Sequence, residues 1–186
     1  MVDHELGRNE SLRDALKRAA SAFKTHGPDF ALAGSYALWA YGAPEPVHDV
    51  DFVVAQTDAE AAEVTLQKAG FRVVRTPEDW LFKAYTADDA MVDVLYQLNG
   101  VPVDSATLAT VEVLDVCAIR MPVLTPTLVI AEKLSSLNEH HCDFASLLPA
   151  ARAVRERVDW DTVRTATAGN DFAVAFLVLT DRLGIT

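Results

Sequence analysis

Three aspartates lie beside or within apolar segments, where a charged carboxylate is unfavourable unless it has a partner. Asp49 and Asp51 lie two residues apart at the start of an apolar run, and Asp93 interrupts the otherwise apolar segment 91–96. Side chains two apart on a strand share one face, so Asp49 and Asp51 are predicted to project together. An ionised Asp in an apolar strand costs free energy unless it is paired or binds a cation. If the strands that carry them are neighbours in one sheet, the three carboxylates form a cluster that suits Mg²⁺ or Mn²⁺.

A Gly-Ser pair upstream of these aspartates is the second feature that indicates chemistry. Gly34 and Ser35 follow a predicted strand over residues 30–33 and precede a predicted helix over 36–41. Glycine lets the backbone approach a ligand closely, Ser35 can cap the helix and offer its hydroxyl, and the free N–H groups favour a phosphate. Two divalent ions about 4 Å apart can clamp an in-line phosphoryl displacement. Together these residues predict a metal-dependent phosphoryl-transfer site.

Each of these features also has a simpler interpretation. Asp49 and Asp51 could belong to a solvated strand start, and Asp93 could be an edge residue paired with an arginine. We favour the metal site because the full order is much less common than its parts. That order is strand, Gly-Ser, helix, loop, Asp-x-Asp, strand, and then an aspartate within a further strand.

A zinc site is a competing idea for the four residues His48, His140, His141 and Cys142. Adjacent residues on one helix point in different directions, and no fourth ligand has the right spacing. We therefore interpret these four residues as surface residues.

The elements that must position the aspartates begin with two predicted helices. Hydrophobic periodicity predicts an amphipathic helix over residues 11–23 with Ser11 as its cap, and Thr57 with Glu60 forms a capping box for a helix that ends at Gly70. Apolar runs bounded by turn residues predict strands over residues 30–33, 49–55, 71–75, 80–86, 91–96, 111–116 and 119–124.

The character of the sequence changes at Thr125-Pro126. This dipeptide is typical of a helix start, with proline in the first helical position. Beyond it the apolar residues recur at helical spacing as far as the C-terminal segment. The chain is therefore predicted to be α+β, with a mixed α/β region that includes the N-terminal helix over residues 1–124 and an all-helical lobe over 125–186.

Composition and charge restrict the class of protein. The chain has 186 residues, of which 51% are hydrophobic and 23% charged, so we expect a globular chain rather than a disordered one. Its two cysteines lack CxxC spacing, and it has neither a signal-peptide pattern nor a membrane-length apolar run. We therefore expect a cytoplasmic protein with no membrane partner. The formal net charge of −11 repels nucleic acid on average.

The motifs resemble those of the nucleotidyltransferase superfamily typified by DNA polymerase β. The resemblance rests on Gly34-Ser35, then Asp49-x-Asp51, then Asp93. It implies a mixed-sheet nucleotidyltransferase core in which the three aspartates are catalytic and hold Mg²⁺ or Mn²⁺. It also implies that Gly34 and Ser35 bind the phosphates of an NTP substrate.

The helical lobe narrows the resemblance. Lys133 lies on the first helix predicted after Thr125-Pro126, and Asp143 follows it. This arrangement is similar to the AbiEii-type nucleotidyltransferases, the toxins of type IV toxin–antitoxin systems, and to the related MenT-type mycobacterial toxins. The resemblance implies that Lys133 is a catalytic and nucleotide-binding residue that reaches the triphosphate, and that Asp143 is a further catalytic residue.

This resemblance also implies an acceptor and a partner. NMP would be transferred from an NTP to RNA, with the 3′ end of tRNA as the expected acceptor and a cognate antitoxin as the partner. Because the net charge fits a polyanionic acceptor poorly, two alternatives stay open. One is an aminoglycoside-type small-molecule nucleotidyltransferase, whose cationic acceptor suits an acidic cleft. The other is a non-catalytic nucleotide-binding module.

Overall fold

The computed structural model describes residues 2–186, and within them the chain forms nine strands and eight α-helices. The strands are β1 (Phe30–Ala33), β2 (Val50–Val54), β3 (Arg72–Arg75), β4 (Leu81–Tyr85), β5 (Met91–Leu95), β6 (Gln97–Leu98), β7 (Val101–Pro102), β8 (Val111–Val116) and β9 (Ile119–Leu124). The helices are α1 (Val2–His26), α2 (Gly34–Ala40), α3 (Ala59–Lys68), α4 (Ser105–Ala109), α5 (Pro126–Ser135), α6 (Phe144–Val154), α7 (Trp160–Thr167) and α8 (Asp171–Arg182).

Seven of the strands form one mixed sheet in the order β3-β4-β5-β2-β1-β9-β8, and β6 and β7 form a separate hairpin. In the sheet, β2 runs parallel to β5 and antiparallel to β1, while β1 runs parallel to β9. Every strand of the described chain lies before Pro126, and helices α5 to α8 follow. The predicted fold class, a mixed sheet followed by a helical C-terminal lobe, is confirmed.

Alternation along β2 separates the hydrophobic core from the functional face. Phe52 is fully buried and meets Phe23 of α1 and Phe30 of β1 edge-on, with ring centroids 5.7 Å apart in both pairs. Its neighbour Asp51 must project from the opposite face of the sheet. That face carries the cleft that Asp51 lines together with Lys133 of α5.

Helix α5 connects the helical lobe to the sheet. Thr125 is its N-cap and Pro126 its first residue, as the sequence predicts. Ile130 and Leu134 are buried, and α5 packs against α2, α7 and α8. Among the described residues, none of the helices combines the length and apolar composition that a bilayer crossing requires.

Two predicted helix caps are wrong. Ser11 lies inside α1 and donates its hydroxyl to the Gly7 carbonyl at 3.1 Å instead of capping the helix. No proline precedes Ser11 to stop the helix, so the helical hydrogen bonds continue upstream. Thr57 lies in a short 3₁₀ turn, and Asp58 precedes α3 without a side-chain cap bond. The chain enters α3 through this turn, which leaves Thr57 too early for the capping box with Glu60.

Candidate active site

The three aspartates predicted to hold a metal lie together. One carboxylate oxygen from each of Asp49, Asp51 and Asp93 falls within 4.8 Å of the others. The cause is strand pairing, because β2 and β5 are parallel neighbours in a register that places Asp51 beside Asp93. Asp49 directly precedes β2, so it shares the face of Asp51. The structure therefore brings the three residues together as the strand argument predicts, and metal binding by them stays a prediction.

Gly34 lies against this cluster and has no room for a side chain. Its φ is +57°, and a Cβ built there would lie 1.8 Å from Asp51 Oδ2. Antiparallel pairing of β1 with β2 sets Ala33 opposite Asp51, so the chain turns into α2 directly over the carboxylate. Only glycine both adopts this backbone conformation and leaves that space. Ser35, the other residue of the predicted phosphate-binding pair, is half-buried and does not line the cleft.

Lys83 is a residue of the site that the sequence argument missed. It lies on β4 opposite Asp93 of β5, and its Nζ lies 2.7 Å from Asp93 Oδ2 and 3.0 Å from Oδ1. The Asp93 side chain is 9% exposed and that of Lys83 28%. The signal was available, because one acid and one base each interrupt an apolar strand in the same part of the chain. The alternative interpretation of Asp93 expects an arginine as its partner, whereas the structure places a lysine there.

Burial and mutual repulsion raise the pKa values of two of these carboxylates, Asp51 and Asp93. Burial, followed by the nearby charge of Asp49, raises the pKa of Asp51 to about 7, against the opposing effect of Lys133. Burial also raises the pKa of Asp93, and the Lys83 ammonium only partly offsets it. Burial lowers the pKa of Lys83, but the hydrogen bond to Asp93 and the nearby negative charges together outweigh burial, so the pKa is raised.

A divalent cation fits this donor set. Three carboxylates meet within ion-binding distance, and they line the cleft together with the backbone of Gly34. Oxygen ligands of this kind are those that Mg²⁺ and Mn²⁺ prefer, and a bound cation would offset the burial and the charge of Asp49 that raise the pKa of Asp51. Among residues 2–186 the aspartate trio is the group of potential metal ligands that the geometry brings together, and the four zinc candidates form no such group.

The aspartates line one end of a cleft of about 570 Å³. Its other walls are largely apolar and come from β4, β5, β9, α5 and the β6–β7 hairpin. Trp80, which is 41% exposed, stands at this cleft. The residues that form the apolar wall are Leu81, Leu95, Leu98, Leu124 and Val129. A flat ring of a nucleotide or of an acceptor could lie against such a wall.

A hairpin that the sequence analysis did not predict brings a further polar residue, Asn99, to the cleft, next to Glu132 of α5. Asn99 and Gly100 both have positive φ and form its turn, and the Asn99 amide donates to the Glu132 carbonyl at 3.1 Å and to the Glu132 carboxylate. Burial raises the pKa of Glu132, while the Asn99 bond opposes that shift. An Asn-Gly dipeptide between short apolar runs is a known hairpin signal and could have revealed this turn.

Lys133 is half-buried and lines the cleft, whereas Asp143 does not. Asp143 is the N-cap of α6, where its Oδ1 accepts a hydrogen bond from the Ser146 amide at 3.2 Å. It lines a neighbouring groove of about 660 Å³, and Lys133 and Ser136 line both this groove and the cleft. Of the predicted site residues, the structure therefore gathers the three aspartates, Gly34 and Lys133, and leaves Ser35 and Asp143 outside the cleft.

Comparison with known proteins identifies the fold. No protein-family model matches the chain, and no curated protein matches it in sequence. Among solved structures, the antibiotic-resistance factor ANT(2'')-Ia matches with a TM-score of 0.63 at 13% identity, over 96% of this chain and 100% of that one. The same protein in complex with adenylyl-2''-tobramycin matches with a TM-score of 0.64 at 12% identity, over 88% of this chain and 98% of that one.

A third solved structure extends the likeness beyond resistance factors. An antigenic nucleotidyltransferase-like protein from Paracoccidioides brasiliensis matches with a TM-score of 0.53 at 16% identity, over 90% of this chain and 92% of that one. At these identities the likeness concerns the course of the backbone. The chain therefore has the nucleotidyltransferase fold over nearly its whole length.

Proposed function

We propose that this protein is a metal-dependent nucleotidyltransferase that transfers an NMP group from an NTP to an acceptor hydroxyl. The observation that carries the proposal is the meeting of Asp49, Asp51 and Asp93 within 4.8 Å, directly under Gly34 and in the same cleft as Lys133. Without a cation, this arrangement costs stability through repulsion and desolvation. Such a cost is expected where a site is built for a charged ligand.

Each residue of the site has a separate role in the proposed reaction. Asp49, Asp51 and Asp93 would hold Mg²⁺ or Mn²⁺, which when bound neutralises triphosphate charge and activates the α-phosphate. The bare backbone of Gly34 lets phosphate oxygens approach, and Lys133 offsets the charge that builds up on departing pyrophosphate. The acceptor oxygen forms its bond to the α-phosphorus as the bond to the β-phosphate oxygen breaks. A carboxylate of the cluster or water takes the hydroxyl proton.

We propose a cationic small molecule, of the aminoglycoside type, as the acceptor. The chain carries a formal charge of −11, and Glu132 adds an acid to the cleft beyond the three aspartates. An acidic cleft attracts cations and speeds their association. The whole-length likeness to ANT(2'')-Ia, whose structure contains adenylyl-2''-tobramycin, supports the same class.

The second candidate acceptor is the 3′ end of tRNA. With this acceptor the protein would act as a toxin and would have a cognate antitoxin. What favours it is that Lys133 lines both the cleft and the groove of Asp143, the two residues on which the AbiEii resemblance rests. Ion pairs weigh against it, because four basic residues on α1 and in the helical lobe are bound to neighbouring acids. The pairs are Arg13–Glu45, Lys17–Asp14, Arg155–Glu156 and Arg164–Asp181. Bound in this way, these four side chains are less available to phosphates.

The test is a transfer assay with each labelled NTP in Mg²⁺ or Mn²⁺. Total tRNA and an aminoglycoside panel are offered separately to the wild type, to Asp49→Asn and to Asp161→Asn. Asp161 is exposed on α7 and serves as the matched control. We expect label on an aminoglycoside, a loss of about 100-fold or more in Asp49→Asn because a metal ligand is removed, and no loss in the control.

The other outcomes separate the alternatives. Label on tRNA, together with growth arrest on expression that Asp49→Asn abolishes, would replace the first acceptor by the second. For a cationic acceptor, KM should rise with NaCl more steeply than for a neutral sugar, since salt screens the attraction. NTP binding without transfer to either class, by a folded protein, would reduce the chain to a nucleotide-binding module and contradict the proposal.

A further inference from the structure

Lys83 holds the most buried carboxylate of the site by both of its oxygens. We infer that Lys83 is a built-in counter-ion that occupies the Asp93 side of the cluster, so that a second divalent cation binds only when nucleotide is present. The inference rests on the proposed function, because it assumes that the aspartates bind divalent cations.

The geometry places Lys83 in direct competition with a cation at Asp93. Its Nζ lies 2.7 and 3.0 Å from the two Asp93 oxygens, so the ammonium engages both atoms that a metal would use. Strand pairing of β4 with β5 sets the two residues opposite each other. The backbone of the two strands therefore places the Lys83 side chain next to Asp93.

The Lys83 ammonium can also leave without the sheet changing. Its side chain is 28% exposed, against 9% for Asp93, so a rotation about its own bonds leads towards solvent. Its Nζ also lies 3.5 Å from Met91 Sδ, a weak acceptor on the same strand as Asp93. Exchange of lysine for a metal at Asp93 thus needs a side-chain movement only.

Counting charges shows why nucleotide would control this exchange. Four carboxylates, those of the three aspartates and of Glu132, set against Lys83 and Lys133 leave two negative charges in the cleft. One divalent cation neutralises this charge, and a second, with Lys83 still at Asp93, leaves an excess of two positive charges, which is unfavourable in a partly buried cleft. The phosphates of an NTP supply the missing negative charge. Replacing Lys83 by a neutral residue removes one positive charge, so the second cation should bind without nucleotide.

The test counts bound Mn²⁺ by electron paramagnetic resonance, without nucleotide and with a non-hydrolysable NTP analogue. The variants are Lys83→Met, Lys83→Gln, which covers the case that the first does not fold, and Lys83→Arg, which keeps the charge. Lys68→Met removes an exposed lysine of α3 and is the matched control. Circular dichroism checks the fold of each variant.

We expect one Mn²⁺ in the nucleotide-free wild type and two with the analogue. Lys83→Met or Lys83→Gln should bind two without nucleotide, the second at least about ten-fold more tightly than in the wild type. Lys83→Arg and Lys68→Met should behave like the wild type, and adding Asp93→Asn to Lys83→Met should restore a single ion.

Two results overturn the inference alone. They are a second ion in the nucleotide-free wild type, and neutral Lys83 variants whose ion count and affinity equal those of the wild type. A wild type that binds no Mn²⁺ with or without the analogue would overturn the proposed function itself, and the role of Lys83 with it.

Discussion

At Gly34 the backbone lies so close to the carboxylates of the site that there is no space for a side chain. A Cβ there would lie 1.8 Å from Asp51 Oδ2, and the φ of +57° is one that L side chains rarely adopt. The carboxylate would have to move, and with it the relation of Asp51 to Asp49 and Asp93. A displacement of Asp51 large enough to relieve this clash is more than a catalytic geometry tolerates.

Gly34→Ala should therefore lower kcat/KM about 100-fold or more, because the reacting groups are misplaced. Its free energy of unfolding should fall by about 1–2 kcal/mol for the backbone conformation alone. Gly184→Ala is a matched control, since φ is +63° at Gly184 and nothing lies within 4 Å of a Cβ built there. Steady-state kinetics and denaturant unfolding separate the two effects, and equal kinetic losses in both variants would contradict the steric argument.

The position of Lys133 depends on how the end of α5 is held. Asn170 stands before α8, and its Oδ1 accepts hydrogen bonds from the Phe172 and Ala173 amides. Its Nδ2 donates to the carbonyls of Ser135 and Leu137, at 3.1 and 2.9 Å, at the end of α5. One side chain thus caps α8 and ties it to the helix that carries the catalytic lysine candidate.

Asn170→Ala should lower the free energy of unfolding by about 2 kcal/mol, because a cap and two carbonyl partners are lost together. It should also raise KM for the NTP, since the end of α5 is released. Asn170→Asp keeps the acceptor for α8 but not the donor for α5, so the KM effect should persist while α8 stays capped. Asp159→Ala removes the similar cap of α7 and should cost about 1 kcal/mol with KM unchanged. A KM change as large in Asp159→Ala would mean that general loosening, not α5, is responsible.

The strands and helices also show which features of the fold are determined by local sequence. Apolar runs in the strands and the Thr125-Pro126 helix start were predictable because each signal acts within a few residues. The pairing of β2 with β5 was required by the chemistry of the aspartates and could be stated only as a condition. The ion pair of Lys83 with Asp93 was missed because strand order decides which lysine meets which acid. Asp143 was assigned from the resemblance, and its observed bond is an ordinary helix cap.

For the molecule as a whole, the carboxylate cluster and the net charge of −11 act on stability in the same direction. Burial and the charge of Asp49 raise the pKa of Asp51 to about 7 in the folded protein, well above the range of an unfolded chain. Between about pH 4 and pH 7 the folded state therefore holds a proton that the unfolded state has released. Folding stability contributed in this way is present at low pH and is lost as the pH rises through about 7.

Metal-free protein in EDTA should thus unfold at a lower temperature at pH 8 than at pH 5.5, by the equivalent of about 1 kcal/mol or more. The carboxylates of Asp104 and Asp181 have lowered pKa values, so their stabilisation is lost only as the pH falls below this window. Asp51→Asn removes the proton uptake and should flatten the dependence of Tm on pH. The difference between the two proteins then separates the effect of the site from the general repulsion within an acidic chain. Mg²⁺ binds the ionised form, so it should raise Tm more at pH 8 than at pH 5.5. Parallel profiles for wild type and Asp51→Asn would show that Asp51 is already ionised in the folded protein, and that the cluster holds its charges without a cation.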